Sequence, residues 1–256
     1  MKTTTILLAM LLCFCLLSPL SAQEEKKGQL WYCYEETVKP GEVKVYMDLS
    51  KEMLELCKQN NFPFPIYTWT PGEFKYQLWS PINTLNDIDK IEDAWNKITE
   101  KLGQEKYATF NKTKVKNTTF TCRGRLDLHY QPENPRYTTD DVSFGVWQEI
   151  LFIPEKVKEA EELMKEMFKL IGAKNYDDPM YIYQAGLGYE TPMFIAVTNA
   201  LSEKDYNAQQ EKMGEVFTED ELKEITELNS KVIACTQTVK VKRLWLLNDL
   251  KYEPDN

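Results

Sequence analysis

Residues 35–57 read EETVKPGEVKVYMDLSKEMLELC, and residues 149–171 read EILFIPEKVKEAEELMKEMFKLI. Aligned without a gap at an offset of 114, they agree at Glu35/Glu149, Pro40/Pro154, Val43/Val157, Lys44/Lys158, Leu49/Leu163, Lys51/Lys165, Glu52/Glu166, Met53/Met167 and Leu56/Leu170. Nine identities in 23 positions stand against roughly one or two from average composition. Each copy has the same grammar. A strand-like run leads to a proline suited to the first turn of a helix, where its missing N–H costs nothing. Apolar residues then recur at helical spacing: Val43, Tyr46, Met53 and Cys57 in one copy, Val157, Met164, Phe168 and Ile171 in the other.

Working outward from the first copy, LWYCYEETV (30–38) alternates as a strand. IYTWT (66–70) and FKYQLWS (74–80) form a hairpin about Pro71-Gly72-Glu73. Thr84 with Asp87 resembles a capping box and starts a helix through Ile88, Ile91, Trp95 and Ile98. After a polar stretch, FTCRGRLDLHY (120–130) is expected as the last strand. Around the second copy, FGVWQEILF (144–152) is a strand, and MYIYQ (180–184) with PMFIAVT (192–198) a hairpin. Ser202 and Thr218 each start a helix, and TQTVKVKRLWLL (236–247) closes as a strand. Tyr67 and Tyr181 match at the same offset, and LDLHYQPE matches LWLLNDLKYEP across a gap.

Each half therefore runs β-α-β-β-α-β, the ferredoxin-like split βαβ unit. The expected fold is α+β, with ferredoxin-like halves at residues 30–130 and 144–256 joined by a proline-bearing linker at 131–143. Each four-stranded sheet, in the order 4-1-3-2, carries its helices on one face and leaves the other bare. An apolar sheet face needs cover. Two such halves satisfy each other when packed sheet to sheet as a pseudo-dimeric α/β barrel within one chain. The proline-started helices, the aromatic hairpin and the helix after PINTLNDIDKIEDAWNKI resemble the dimeric α/β-barrel superfamily. They are similar to its antibiotic-biosynthesis-monooxygenase-like and NIPSNAP-like branches, over both halves. The resemblance implies the fold and leaves function open, among cofactor-free oxygenases, haem enzymes and non-catalytic proteins.

The chain of 256 residues opens with Lys2, the apolar run ILLAMLLCFCLL and small residues ending at Ala22, as a secretory signal peptide does. Residues 1–22 are thus expected to be removed and the product exported, to the periplasm or outside the cell. Bulky neighbours at Cys13 and Cys15 argue against a lipid anchor. A net charge of −9 without a basic run makes nucleic acid and anionic membranes poor partners. Asn111-Lys-Thr and Asn117-Thr-Thr are sequons in a eukaryotic secretory route alone.

The bare faces should enclose Tyr32 or Cys33, Tyr34 or Glu35, Tyr67, Trp69, Trp79, Trp147, Glu149, Tyr181 and Tyr183, with His129 near them. A strand slip of one residue would exchange every inward choice. These aromatics either line a pocket for a flat, apolar ligand or fill the core. Glu35 and Glu149, matched across the repeat, are candidate acid and base if they meet in an apolar enclosure, or else solvated strand ends. His129, the only histidine, is the alternative haem ligand or a plain surface residue; no cofactor is otherwise expected, and no metal. Cys33 and Cys122, on neighbouring strands, are either a disulfide or buried thiols. Arg123 and Arg125 pair with Glu35, meet an anionic ligand or solvate an edge. The function expected is binding, with or without turnover, of a small apolar or aromatic molecule between the sheets. The alternatives are a non-catalytic interaction protein with a filled barrel and a monooxygenase-like or haem-related enzyme.

Overall fold

The computed structural model describes residues 28–254, so the expected signal peptide lies outside the described residues. In chain order the first part comprises β1 (Leu30–Val38), a 3-10 turn (Pro40–Glu42), α1 (Val43–Gln59), β2 (Ile66–Gly72), β3 (Lys75–Ile82), α2 (Asp87–Leu102), α3 (Gln104–Thr113) and β4 (Lys114–Gly124). The second comprises β5 (Phe144–Phe152), a 3-10 turn (Pro154–Lys156), α4 (Val157–Ala173), β6 (Met180–Ala185), β7 (Met193–Ala200), α5 (Glu203–Val216), α6 (Glu219–Ala234) and β8 (Thr236–Tyr252). The repeated passage yields strand, proline turn and helix twice, all three elements displaced by the 114 residues of the alignment. The expected caps form at Ser202, which accepts from the Asp205 N–H, and at Thr218, which forms a full box with Glu221. At α2 the roles reverse. The Asp87 carboxylate accepts from the Asn83 and Thr84 N–H groups at 2.9 and 3.0 Å, and Lys90, with those donors, holds it down at about 2.

The eight strands hydrogen-bond into one closed antiparallel barrel in the order β1-β3-β2-β8-β5-β7-β6-β4. The run β4-β1-β3-β2 and the run β8-β5-β7-β6 have the same internal order. The runs meet edge to edge, β2 on β8 and β4 on β6, so the sheets do not stack as a sandwich. Closure satisfies every strand edge and turns both bare faces toward one interior.

Helices cover the outside. In the first part Tyr46, Met53, Leu54 and Cys57 of α1 pack on Val38, Ile66 and Tyr76. In the second, Ala160 and Met164 of α4 pack on Ile150, Phe152 and Phe194. The interior holds a third core of Cys33, Trp79, Phe120, Cys122, Ile195 and Val197.

One expectation is corrected. The last strand of the first half begins at Lys114, six residues before the predicted start, and ends at Gly124. The polar stretch ahead of it holds α3, and the exposed outer face of early β4 (Val115, Asn117) hides the strand period. LDLHY then forms a 3-10 turn and a single bridge between Tyr130 and Met180, the counterpart of Tyr252 beside Ile66 on β8. The segment read as a linker, residues 131–143, makes long-range contacts. Arg136 binds Asp178 and Asp205, and the buried Tyr137 donates to the Asn199 carbonyl at 2.9 Å.

Candidate functional site

Side-chain parity follows from the register. On β1 the odd residues Trp31, Cys33 and Glu35 face the interior, while Tyr32, Tyr34 and Glu36 face the helices. On β5 the inward set is Gly145, Trp147, Glu149 and Leu151. One cavity of about 320 Å³ opens inside the barrel. Its wall carries Trp31 from β1, Tyr67 and Trp69 from β2, Trp79 from β3, Trp147 from β5, and Tyr181 and Tyr183 from β6. The rings are mutually braced. Trp147 lies 5.0 Å from Trp79 and 6.3 Å from Trp69 between centroids, and Trp31 packs edge-on to Tyr67 at 6.1 Å.

Polar groups are few and placed. The Trp79 indole N–H donates to Gln77 Oε1 at 3.3 Å, and Gln77 Nε2 donates to Glu35 Oε2 at 2.6 Å. Glu35 therefore orients Gln77, which orients a wall tryptophan. The Tyr67 hydroxyl donates to Glu253 at 3.2 Å, Lys251 lies over its ring, and burial followed by the Glu253 charge pushes it up to about 12. The Trp147 indole nitrogen is buried and has no partner.

Glu35 and Glu149 lie on the inward faces of β1 and β5, and the charges of both act on the Tyr189 phenol. The Tyr189 phenol is pushed up by burial and then by Glu149, Cys33, Cys122 and Glu35, so both carboxylates bear on one hydroxyl. Each is engaged by its own partner, Glu35 by Gln77 and Glu149 by Lys242, and the cavity wall is made by other residues.

Of the residues read from sequence as pocket residues, Tyr67, Trp69, Trp79, Trp147, Tyr181 and Tyr183 line this single cavity. Tyr34 does not. It faces a second cavity of about 310 Å³ between the first sheet and helices α1 to α3, with Tyr32, Glu36, Trp95, Tyr107 and Lys114. The cause is parity: β1 has aromatics on both faces, so alternation alone leaves the inward set open. His129 packs edge-on against Tyr181 at 5.4 Å and near Tyr183 at 5.8 Å. Its Nε2 lies 2.8 Å from the Ile182 carbonyl, so that nitrogen donates and carries the proton. Its Cε1 edge abuts Gly124. Cys33, Cys57, Cys122 and Cys235 are free and buried, and burial pushes the thiols of Cys33 and Cys122 well up. Arg125 binds Asp127 and Glu161 instead of Glu35, and Arg123 reaches the Gly28 carbonyl.

Sequence reasoning missed Trp31, whose parity would have followed from placing Glu35 inward, and also Asn199 and Lys251. It missed Asp140 and Val142 because they lie in the supposed linker. Among the described residues no three His, Cys, Asp or Glu side chains gather as a metal site, and no helix is long and apolar enough to cross a membrane.

No family model matches the chain, and no curated protein matches it. Solved structures do. An anthrone oxidase-like protein shares 10% identity over 88% of this chain and 93% of its own, with a TM-score of 0.55. Chlorite dismutase from Candidatus Nitrospira defluvii shares 9% over 88% of this chain and 93% of its own, with a TM-score of 0.53. A tryptophan-to-phenylalanine mutant of that dismutase, in complex with cyanide, gives 10%, 86%, 91% and 0.54. At these identities the likeness is one of fold alone.

Proposed function

We propose that the protein binds a small, flat, largely apolar molecule in the barrel cavity. The observation that carries this reading is the convergence of seven aromatic side chains from five strands on one space of about 320 Å³. That volume is at the lower end of small-molecule sites, whose walls are mostly apolar with few polar groups. A protein whose barrel serves as filler would close that space, because interiors pack to crystal density. The matching strand orders and the 114-residue offset support reading the ring as two fused ferredoxin-like halves. In that arrangement the cavity lies between the halves. Export through the N-terminal segment is part of the same reading and makes the ligand an extracytoplasmic one.

Turnover is the second reading, favoured by the Glu35–Gln77–Trp79 chain that ties a carboxylate to the cavity wall. An anthrone oxidase-like protein shares the fold, so an oxygen-consuming conversion of the bound aromatic is the form such turnover takes.

Titration with fluorene, a flat tricyclic hydrocarbon, tests the binding reading. Saturable quenching of tryptophan emission at one ligand per chain is expected. Val197→Phe, which adds bulk to the wall, should abolish it while the far-ultraviolet spectrum stays unchanged. Absence of saturable binding to the unaltered protein refutes the reading. Oxygen uptake with a phenolic tricycle, lost in Gln77→Leu, tests the second.

A further inference from the structure

The cavity of about 310 Å³ between the first sheet and helices α1 to α3 lies outside the barrel. Five aromatic side chains line it: Tyr32 and Tyr34 from β1, Trp95 from α2, and Tyr107 and Phe110 from α3. The exposed Glu92, Asn96 and Tyr107 mark its open side, and the buried Tyr32, Ile66 and Phe110 its floor. Three charged groups share the wall: Glu36, Lys114 and Glu92. Lys114 and Glu36 cancel each other as a buried pair at 2.7 Å. Glu92 stands apart, for no salt bridge or hydrogen bond engages its carboxylate among the described residues. The lining therefore carries one net negative charge, at its entrance.

The floor already shows how this wall receives a cation. The Lys114 ammonium lies 4.2 Å from the Phe110 ring centroid and 2.7 Å from Glu36 Oε1, so a ring and a carboxylate hold it together. An aromatic ring attracts an ammonium through its negative face. Tyr32 and Glu92 offer the same two elements with no ammonium between them. Burial and then the Glu92 charge push the Tyr32 phenol up to about 12, so the carboxylate acts on that ring's hydroxyl.

The fold does not require this arrangement. At the 114-residue offset Val146, Gln148 and Ile150 stand where Tyr32, Tyr34 and Glu36 stand, and Thr236 takes the place of Lys114 in the register. The second sheet is covered by its helices with neither a tyrosine nor a charge at any of the four.

We propose that the helix–sheet cavity of the first half is a second ligand site, for an organic cation with an apolar body: a quaternary or tertiary ammonium seated among the aromatic rings, with Glu92 at the entrance as its counter-charge. The site is independent of what the barrel holds. An anionic ligand would meet Glu92 on entry and would have to draw Lys114 from Glu36, leaving a desolvated carboxylate behind. A bare metal ion would find a single free carboxylate, too few oxygen ligands to hold it.

Benzyltrimethylammonium and neopentylbenzene share a shape and differ in one atom, a cationic nitrogen for a carbon. Each is titrated into the ¹⁵N-labelled intact protein, with phenylacetate as the anion. The Trp95 indole cross-peak should move with the cation and saturate at one ligand per chain, while those of Trp69, Trp79 and Trp147 in the barrel stay in place. Neopentylbenzene should bind about three- to tenfold more weakly, and phenylacetate should leave Trp95 unmoved. Glu92→Gln, at an exposed helix position, should weaken the cation about two- to fivefold and leave neopentylbenzene as it was. Equal affinities for cation and isostere, a preference for phenylacetate, a cation affinity indifferent to Glu92→Gln, or shifts confined to the barrel indoles each overturn the proposal. Absence of saturable cation binding overturns it as well, and leaves the barrel reading to its own test.

Discussion

Glu36 offers a test of how the helix-facing side of the first sheet is held together. It is 2% exposed, and its carboxylate accepts from the Tyr46 hydroxyl at 2.6 Å and from the Lys114 ammonium at 2.7 Å. The Lys114 side chain is itself only 8% exposed and rides over the Phe110 ring at 4.2 Å. At the matching place in the other half, 114 residues on, stands Ile150, packed among Phe152 and Phe194. One fold thus holds both an ionic and an apolar solution to the same position. Glu36→Ala strands a buried ammonium and removes an acceptor from Tyr46, so it should destabilise by about 3–5 kcal/mol. For a chain of this size that is a fall in Tm of roughly 6–20 °C. The double replacement Glu36→Ile with Lys114→Met copies the apolar solution and should fall within about 1 kcal/mol of the unaltered protein, or above it. Urea denaturation followed by circular dichroism measures both, with an unchanged m-value confirming a common unfolded state. A single substitution costing under about 1 kcal/mol, or a double as costly as the single, would falsify the argument that a desolvated charge is the penalty.

Three further outcomes follow from other positions. Gly145→Ala puts a methyl group 2.8 Å from the Trp147 nitrogen and should turn that ring into the cavity. Fluorene affinity should drop at least about fivefold, and stability should fall by about 1–3 kcal/mol; unchanged affinity would mean the ring yields another way. Burial lowers the pKa of His129, so on acidification the unfolded chain takes up this proton first. The corresponding stability is full above the ordinary value near 6.5 and is lost as pH falls through it toward the folded value; His129→Phe should flatten the Tm profile over that range. Gly188 has φ +82°, and a Cβ there would meet the Thr119 carbonyl oxygen at 2.1 Å. Gly188→Ala should therefore cost about 2 kcal/mol or more in the same urea assay, and a neutral result would show that the β6–β7 turn moves freely.

The barrel was legible because one passage is written twice and the period changes from two to 3.6 at the same proline in both copies. That grammar places β1, α1, β5 and α4 within a residue or two. Tyr67, Trp69, Trp79, Tyr181 and Tyr183 on the hairpin strands and Trp147 on β5 could be named as candidates for the interior from alternation, and the register settles that they face inward. β1 could not be assigned so. Trp31, Tyr32 and Tyr34 put aromatic bulk on both of its faces, and only the pairing of Cys33 with Trp79 and Phe120 decides which side is inward. The roof of the cavity was hidden for a different reason. Asp140 and Val142 follow prolines and polar residues that read as linker, and their place is fixed by Arg136 reaching Asp178 and Asp205, contacts of long range that no local pattern encodes.

A barrel closed by a single polypeptide need not repeat itself around its axis. Two identical subunits would present every wall residue in duplicate, and any guest on the axis would see a symmetric room. Here the strand pairings set Trp79 opposite in role to Val197, Trp69 to Tyr183, Trp31 to Gly145 and Cys33 to Trp147, while Glu35 with Glu149 and Tyr67 with Tyr181 keep like for like. Large and small side chains thus stand at unlike places in the two runs of strands. Such a chamber has a handedness of its own.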